Sequence, residues 1–276
     1  MANPALQDIV AVLGWPAAGN PGQYLFERAA AAAALDCRCL SVDVDPARLA
    51  DALAGVAAMG FRGCLLAGPL RAAALPLVAE RTPAAAFAEA ATLLDCGAAG
   101  LTAHMTDGRG AVEALRSHVD PAGARALVVG AGATGRAVAL ELALAGAAGI
   151  VVCDRDPVRS AALEEAVAAL GRAAAGRLDA AAGVSVPADV EIVVVALPAG
   201  AADSAALAGL RPDLVVAETA LVAQPSPLAR LVAAAGACLV DGLEVHAART
   251  AIDFQTLTGA EADADLLREA LDEFLA

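Results

Sequence analysis

The chain contains no lysine, since all 18 of its basic residues are arginines. A lysine amine is needed for Schiff-base chemistry and for the phosphate-binding P-loop, so both kinds of site are excluded. A guanidinium stays protonated, with a pKa above about 12, and cannot give and take a proton near neutral pH. Any proton shuttle in this protein must therefore use another type of residue.

Positive charge is also scarce, because 18 basic residues stand against 32 acidic ones and give a formal net charge of -14. Nucleic acids and anionic membranes bind basic patches, so we expect neither as a partner. The first residues, MANPALQDIV, show no basic region followed by an apolar core, and no apolar run reaches the length of a membrane span without a charge. We therefore expect a cytoplasmic protein.

The 6 cysteines show no C-x-x-C spacing and mostly lie in apolar, strand-like runs. This pattern is typical of small buried hydrophobic residues in a reducing compartment and not of a disulfide framework. His118 and His246 have no metal-ligating residues at a useful spacing, so we predict no metal site. The cysteines are Cys37, Cys39, Cys64, Cys96, Cys153 and Cys238.

The N-terminal part of the chain predicts a small α/β domain. Three apolar strands alternate with helical segments, which is the β-α-β-α-β pattern of such a domain. No element is assigned to residues 81–103. The predicted strands are Asp8–Leu13, Arg38–Val44 and Gly63–Leu66, and the predicted helices are Gln23–Leu35, Asp45 to about Met59, and Ala72–Glu80.

The strongest motif is a strand, glycine turn, helix and strand between Ala126 and Asp156. The turn is G-x-G-x-x-G, in which Gly130 allows a tight turn, Gly132 allows a pyrophosphate to approach the backbone, and Gly135 brings the helix close to the strand. The free N–H groups and positive dipole end of that helix favour phosphate binding. The motif predicts a dinucleotide site at Gly130, Ala131, Gly132, Ala133, Thr134 and Gly135.

An acidic residue follows the second strand of this unit, Gly149–Cys153. Asp154 lies 19 residues after Gly135, close to the spacing of about 20 expected for the acid that binds the ribose hydroxyls. A carboxylate there repels a 2′-phosphate, so NAD is favoured over NADP. Arg155 follows directly and is able to pair with that phosphate, which keeps NADP open as an alternative.

The remaining pattern predicts a second domain and returning helices. Later apolar strands are Glu191–Leu197, Leu214–Ala217 and Ala237–Val240, after a linking helix that ends near His118. Helices are predicted over Gly242–Leu257 and Ala262–Leu275. The fold class is therefore two α/β domains: an N-terminal substrate-binding domain over residues 1–104, completed by C-terminal helices in 243–276, and a Rossmann domain over residues 105–242.

The order and spacing of the motifs along nearly the whole chain resemble the shikimate dehydrogenase family. In that family the first domain and the C-terminal helices bind a cyclic hydroxy acid, and the second domain supplies the nicotinamide for hydride transfer. The resemblance adds Leu197 and Gly242 to the expected coenzyme contacts. It depends on the glycine-rich turn and on Gly14-x-Pro16, Gly63-x-x-x-x-Gly68-Pro69, Thr106-Asp107-Gly108-x-Gly110, Ala196-Leu197-Pro198-x-Gly200, Val240-Asp241-Gly242-Leu243 and Thr258-Gly259.

The substrate positions that the resemblance implies depart from the family pattern. The site loses hydroxyl and amide groups and gains two guanidinium groups and apolar side chains. A site that hydrogen-bonds substrate hydroxyls discriminates strongly, so we expect a substrate other than shikimate. The departures are Asn20-Pro21-Gly22 for S-x-S, Arg71 for the lysine of N-x-T-x-P-x-K, Met105 for the asparagine of N-T-D, Leu221 for a tyrosine, Arg249 for a glutamine, and Thr92 near a further asparagine.

Each candidate residue has a functional and a structural interpretation. Asp107 keeps the family's acid/base position, or it caps the helix after Thr106. Arg71 is the second catalytic candidate; it and Arg249 hold an anionic group, or they are surface arginines. Asn20, Tyr24, Thr92 and Arg249 are the expected substrate contacts. His104 and Tyr24 are alternative proton donors, unless they are packing residues with one hydrogen bond each.

Three functional hypotheses remain open from the sequence. The first is an NAD-preferring oxidoreductase acting on a small carboxylated alcohol, ketone or imine other than shikimate. The second is a non-catalytic dinucleotide-binding sensor or partner subunit, which the missing lysine suggests. The third is a shikimate or quinate dehydrogenase with an altered site. The expected partner is a small anionic substrate, and a homodimer is left open.

Overall fold

The computed structural model describes residues 7–180, 183–199, 207–222 and 225–276. Gly200, from the motif Ala196-Leu197-Pro198-x-Gly200, lies outside the described residues. The chain divides into two compact units, and each is built on its own six-stranded sheet. Unit 1 comprises Met1–Thr106 and Arg249–Ala276, and unit 2 comprises Asp107–Ala248. No helix in the described part of the chain combines the length and apolar character needed to cross a membrane.

Unit 1 contains a mixed sheet with the strand order β2-β1-β3-β5-β6-β4. The strands, numbered in chain order, are β1 (Asp8–Gly14), β2 (Cys37–Asp43), β3 (Gly63–Leu66), β4 (Glu80–Arg81), β5 (Leu93–Gly97) and β6 (Gly100–His104). β1 pairs in parallel with β2 and β3, whereas β5 runs antiparallel to β3 and β6. The helices are α1 (Gly22–Ala32), α2 (Leu49–Ala58), α3 (Leu70–Ala73), α4 (Pro83–Ala88), the end of α9 (Gly242–Thr258) and α10 (Ala264–Leu275).

The sequence interpretation is wrong between residues 72 and 103. The expected helix over Ala72–Glu80 is only α3 followed by a 3-10 turn at Leu75–Leu77, because Pro76 lacks the N–H that a continuing helix requires. The segment left without an element forms α4 and the β5–β6 hairpin, in which Gly100 turns at φ +111°. The first half of that hairpin is fully buried at Leu93 and Leu94.

Aromatic contacts attach the C-terminal helices to the first helix of unit 1. The rings of Phe26 on α1 and Phe254 on α9 have centroids 5.0 Å apart, and both residues are fully buried. Tyr24 and Phe274 make a second contact between α1 and α10 at 6.0 Å. These contacts confirm that the C-terminal helices return to the first domain. Aromatic pairs add a favourable interaction energy to that from the burial of apolar surface area.

Unit 2 is an all-parallel sheet with the strand order β14-β13-β11-β7-β8-β9. This is the doubly wound arrangement expected of a dinucleotide-binding domain, and it confirms the predicted fold class. The strands are β7 (Arg125–Val129), β8 (Gly149–Asp154), β9 (Ala174–Asp179), β11 (Ile192–Val195), β13 (Val215–Glu218) and β14 (Cys238–Val240), with a separate pair β10 (Val184–Ser185) and β12 (Leu207–Ala208). The helices are α5 (Asp107–Arg116), α6 (Ala133–Leu144), α7 (Pro157–Leu170), α8 (Pro227–Ala234) and the start of α9.

The central strands of unit 2 determine where a ligand can bind. β7 pairs with β8 on one side and with β11 on the other, so the direction of winding reverses at β7. Ligands of open α/β sheets bind beyond the carboxyl ends of the strands at this switch point. The glycine-rich turn follows β7 directly.

Candidate functional site

The three glycines of the turn after β7 differ in why a residue without a side chain stands at that position. Gly130 has φ +108°, and a Cβ there would lie 2.5 Å from the carbonyl oxygen of Ala196. A Cβ at Gly135 would lie 1.8 Å from the carbonyl oxygen of Gly130. A Cβ at Gly132 would meet no atom within 4 Å. Packing therefore requires the first and third glycines, whereas the second borders open space that a phosphate group can approach.

The first turn of α6 supplies donors beside that open space. The helix begins at Ala133, and its N-cap is Gly132, which makes no side-chain capping hydrogen bond. The first N–H groups of a helix have no partner within the helix, and they lie at its positive dipole end. Such an end binds phosphate without a basic side chain, which suits a chain that has no lysine.

Asp154 links the end of β8 to the glycine-rich turn. Its Oδ2 accepts a hydrogen bond from the N–H of Ala131 at 2.6 Å, and its Oδ1 accepts one from the N–H of Asp156 at 2.9 Å. The sequence predicted a ribose ligand here and missed these backbone contacts. Asp154 thus fixes the turn and the start of α7 as well as placing a carboxylate at the end of β8.

A cavity of about 570 Å³ opens beside Asp154. It carries both signs of charge, with two arginines and two aspartates among its lining residues. Arg155 is exposed, and Arg177 lies 3.4 Å from Glu164 through its Nε. The lining residues are Asp154, Arg155, Pro157, Ser160, Arg177, Leu178 and Asp179.

Leu197 and Gly242, the two further residues expected to contact the coenzyme, lie in different surroundings. Leu197 lies over the glycine-rich turn, since its Cδ2 is 3.0 Å from the place of a Cβ on Gly130. Gly242 begins α9, and a Cβ there would lie 1.9 Å from the carbonyl oxygen of Ala220. A side chain is therefore excluded at Gly242 by packing within unit 2.

Asp107 is held against the glycine-rich turn and the start of α6. The hydroxyl of Thr134 donates a hydrogen bond to Oδ2 of Asp107 at 2.7 Å, and Asp107 is only 7% exposed. The contact is possible because α5 and α6 cross closely, with a Cβ on Gly108 only 2.2 Å from the carbonyl oxygen of Ala137. A candidate acid/base residue and a candidate coenzyme residue are thus in direct contact within unit 2.

Unit 1 contains a chain of buried hydroxyl groups that ends on a carboxylate. Thr106 donates its hydroxyl hydrogen to Oδ1 of Asp253 at 2.6 Å, so the Thr92 hydroxyl, 2.8 Å away, donates to Thr106. Thr92 in turn accepts the backbone N–H of Thr106 at 3.0 Å. Each of the three residues is at most 3% exposed. The network ties β5 and the end of β6 to α9.

Arg249 pairs with the carboxylate of this network. Its Nε lies 3.6 Å from Oδ2 of Asp253, one turn further along α9, and its side chain is 16% exposed. A buried carboxylate requires such a charge partner, because an isolated one is strongly disfavoured away from water. Asp253 was not among the residues predicted from the sequence, although the i,i+4 spacing of opposite charges on a predicted helix was available as a signal.

The chain is similar to known proteins along most of its length, although no protein-family model matches it. The shikimate dehydrogenase (NADP(+)) of Citrifermentans bemidjiense is 30% identical over 275 residues, covering 95% of this chain and 94% of that enzyme. The chain belongs to the shikimate dehydrogenase family. The enzyme of the same name from Moorella thermoacetica is 37% identical over 164 residues, 59% of this chain and just over half, 56%, of that relative.

The fold of this chain is also similar to that of a protein with a known crystal structure. The ligand-free 5-ketofructose reductase of Gluconobacter sp. strain CHM43 matches with a TM-score of 0.90 at 26% identity, covering 98% of this chain and 99% of that one. The resemblance to the shikimate dehydrogenase family is therefore confirmed, and so is an NAD(P)-dependent oxidoreductase architecture. Both curated relatives are named as NADP(+) enzymes, so the preference for NAD stays a prediction.

The other residues aligned with the family's substrate positions make local contacts in unit 1. Arg71, at the family's lysine position, donates its Nε to the carbonyl oxygen of Leu66 at 3.1 Å. Asn20 accepts the N–H of Gly22 at 2.8 Å and so fixes the start of α1. Tyr24 donates its hydroxyl to Glu273 at 2.6 Å. That carboxylate raises the pKa of Tyr24, which keeps the phenol protonated.

Proposed function

We propose that this protein is an NAD-preferring oxidoreductase that acts on a small carboxylated alcohol, ketone or imine other than shikimate. The observation that carries the proposal is the placement of Arg249, a mostly buried guanidinium paired with Asp253 at the position of a family glutamine. A guanidinium is suited to a carboxylate in a fixed geometry, whereas an amide is suited to hydroxyl groups. Arg249 therefore binds the substrate's anionic group.

The glycine-rich turn and Asp154 of unit 2 support the same proposal. A dinucleotide bound at Gly130–Gly135 would present its nicotinamide as donor or acceptor of hydride. The open space at Gly132 and the start of α6 receive its pyrophosphate, and Asp154 meets its ribose hydroxyls. Arg155 and Arg177 line the cavity beside Asp154, and for this reason NADP is retained as a second coenzyme.

Asp107 and Arg71 are the proposed catalytic groups. Asp107 orients the substrate or removes its proton, supported by the hydroxyl of Thr134. Arg71 stays charged, so its role is to stabilise negative charge that develops on the substrate oxygen. Asn20, Tyr24 and Thr92 complete the proposed substrate contacts, and the hydroxyl of Thr92 is held in place by its hydrogen bond to Thr106.

A second candidate substrate is an uncharged ketose. The pairing of Arg249 with Asp253 compensates the positive charge, which weakens binding of an anion and suits a neutral oxygen acceptor. The structural similarity to a 5-ketofructose reductase favours the same class.

The two candidates are separated by steady-state kinetics with NADH and NADPH. The panel contains small keto acids, imino acids, 3-dehydroshikimate and an uncharged diketose, and it is repeated with Arg249→Gln. Our proposal expects the highest kcat/KM with a keto or imino acid, and a loss of roughly 10-fold to 100-fold in Arg249→Gln. Robust reduction of 3-dehydroshikimate, or of the diketose alone, contradicts it. Coenzyme binding without turnover of any member supports a non-catalytic sensor instead.

A further inference from the structure

Unit 2 holds a cysteine, a histidine and a glutamate in one hydrogen-bonded row, and none of the three is a proposed coenzyme, substrate or catalytic residue. Sγ of Cys238 lies 3.5 Å from Nδ1 of His118, and Nε2 of the same ring lies 2.8 Å from Oε1 of Glu244. Cys238 is the first residue of β14, His118 follows α5, and Glu244 is in the first turn of α9. The tertiary structure therefore joins three groups that are distant in the sequence.

The row has a defined direction for proton transfer. An ionised carboxylate only accepts hydrogen bonds, so Nε2 of His118 carries the hydrogen that points to Glu244. In the neutral ring, Nδ1 is then the acceptor that faces the thiol of Cys238. This is the arrangement in which a carboxylate orients an imidazole that takes the proton of a nucleophile. His118 can thus remove the thiol proton and hold it beside the thiolate.

The same geometry argues against a metal site. The sulfur and the carboxylate contact opposite nitrogens of the ring, so they cannot bind one ion together with His118. Among the residues that the structure describes, no group of three histidine, cysteine or acidic side chains is arranged to hold a metal. The row is therefore suited to thiol chemistry.

Two of the six cysteines, Cys96 and Cys238, are partly exposed, whereas the other four are buried. Burial is the main cause that raises the pKa of Cys37, Cys64, Cys96 and Cys153, and it raises that of Cys39 to about 12. Cys238 is only half-buried, and the side chain of His118 is 30% exposed. A small molecule in solution can reach this thiol, and an imidazole is available to deprotonate it.

We propose that Cys238 is a modification site that reacts with hydrogen peroxide. The sulfur attacks one peroxide oxygen, so that an S–O bond forms, the O–O bond breaks and two electrons pass from sulfur to peroxide. The thiol proton, held by His118, goes to the leaving hydroxide, which departs as water, and Cys238 becomes a sulfenic acid. A small uncharged oxidant fits better than an anionic disulfide, because Glu244 is adjacent and the protein carries a net charge of -14.

Cys96 provides an internal control, since it is also partly exposed. The full-length protein is treated with less than one equivalent of hydrogen peroxide in the presence of dimedone, and the adducts are mapped by peptide mass spectrometry. We expect at least a 10-fold higher rate of sulfenic acid formation at Cys238 than at Cys96. Equal labelling of the two cysteines overturns the proposal without any variant.

Variants of the row then test the mechanism. His118→Gln and Glu244→Gln keep the size and polarity of the side chains, and both are expected to reduce the rate at Cys238 towards that of Cys96. Thermal unfolding and coenzyme binding are measured in parallel to show that the variants are folded. A rate at Cys238 that is unchanged in folded His118→Gln contradicts the assigned role of the imidazole.

Discussion

The Thr134 hydroxyl donates a 2.7 Å hydrogen bond to the carboxylate of Asp107, and this contact connects the proposed coenzyme-binding turn with the proposed acid/base residue. Both residues belong to unit 2, so the relationship does not depend on how the units are arranged. The hydrogen bond holds the carboxylate of Asp107 in a fixed orientation. A group proposed to orient the substrate or to remove its proton requires such a fixed geometry.

The first prediction separates catalysis from packing at this contact. Asp107→Asn is expected to lower kcat by roughly 100-fold or more, because an amide cannot accept the proton. Thr134→Val removes only the supporting hydrogen bond and is expected to lower kcat by less than about 10-fold. Steady-state kinetics with the best substrate check both values. Similar small effects of the two variants, with unchanged melting temperatures, would show that Asp107 has a structural role alone.

The glycines of the turn offer a matched pair of substitutions. Gly132→Ala places its methyl group in open space, so we expect normal stability and a loss of coenzyme affinity of roughly 10-fold or more. Gly135→Ala forces a Cβ to 1.8 Å from the carbonyl oxygen of Gly130 and is expected to cost about 1–3 kcal/mol of stability. Thermal unfolding and coenzyme titration measure the two effects. Unchanged affinity in Gly132→Ala contradicts the proposed pyrophosphate site.

Asp154 is expected to set the coenzyme preference. Asp154→Asn removes the negative charge and keeps one side-chain oxygen for the N–H of Ala131, at the loss of the second hydrogen bond, from the N–H of Asp156. The ratio of NADP to NAD affinity is expected to rise by roughly 10-fold, because the repulsion of a 2′-phosphate is removed. Fluorescence titration with both reduced coenzymes gives the ratio. If the ratio stays constant, the carboxylate serves only to hold the turn.

The ion pair on α9 predicts a stability effect that an exposed pair does not share. Asp253→Asn removes the negative charge that lies beside the guanidinium of Arg249 in a buried setting, which costs about 3–5 kcal/mol. Arg48 and Asp51 form a control pair, with side chains 73% and 70% exposed, and Asp51→Asn is expected to cost less than about 1 kcal/mol. Urea unfolding compares the variants. Equal costs would refute the importance of the buried pair.

Glu141 on α6 predicts a dependence of stability on pH. Burial raises the pKa of Glu141, while Arg109 and Arg116 oppose the shift. A raised pKa in the folded state stabilises the protein at low pH, and this contribution is lost as the pH rises through that pKa. Glu141→Gln is therefore expected to melt higher than the wild type at pH 7, with the difference shrinking towards about pH 4. The exposed Glu165 provides the control, and an equal gain in Glu165→Gln would contradict this explanation.

The local elements and the coenzyme motif could be predicted from the sequence. The alternation of apolar strands and helices indicated two α/β domains, and β3 was predicted with its observed bounds because glycine and apolar residues mark a short buried strand. The glycine-rich turn and Asp154 were recognisable because their spacing is fixed by one continuous βαβ unit. Pro76 and the β5–β6 hairpin were misjudged, since an apolar run between glycines does not specify its partner strand.

Only the tertiary structure decided which distant side chains meet. Thr106 and Asp253 are separated by 147 positions, and Cys238 and His118 by 120, yet both pairs are in hydrogen-bond contact. No local periodicity encodes such pairs. The first results from the packing of α9 against the segment after β6 in unit 1, and the second from the approach of β14 to the segment after α5 in unit 2. The sequence by itself determined most of the strands and helices and the glycine-rich turn after β7. The polar networks came from packing, which brings buried groups together so that each finds a partner away from water.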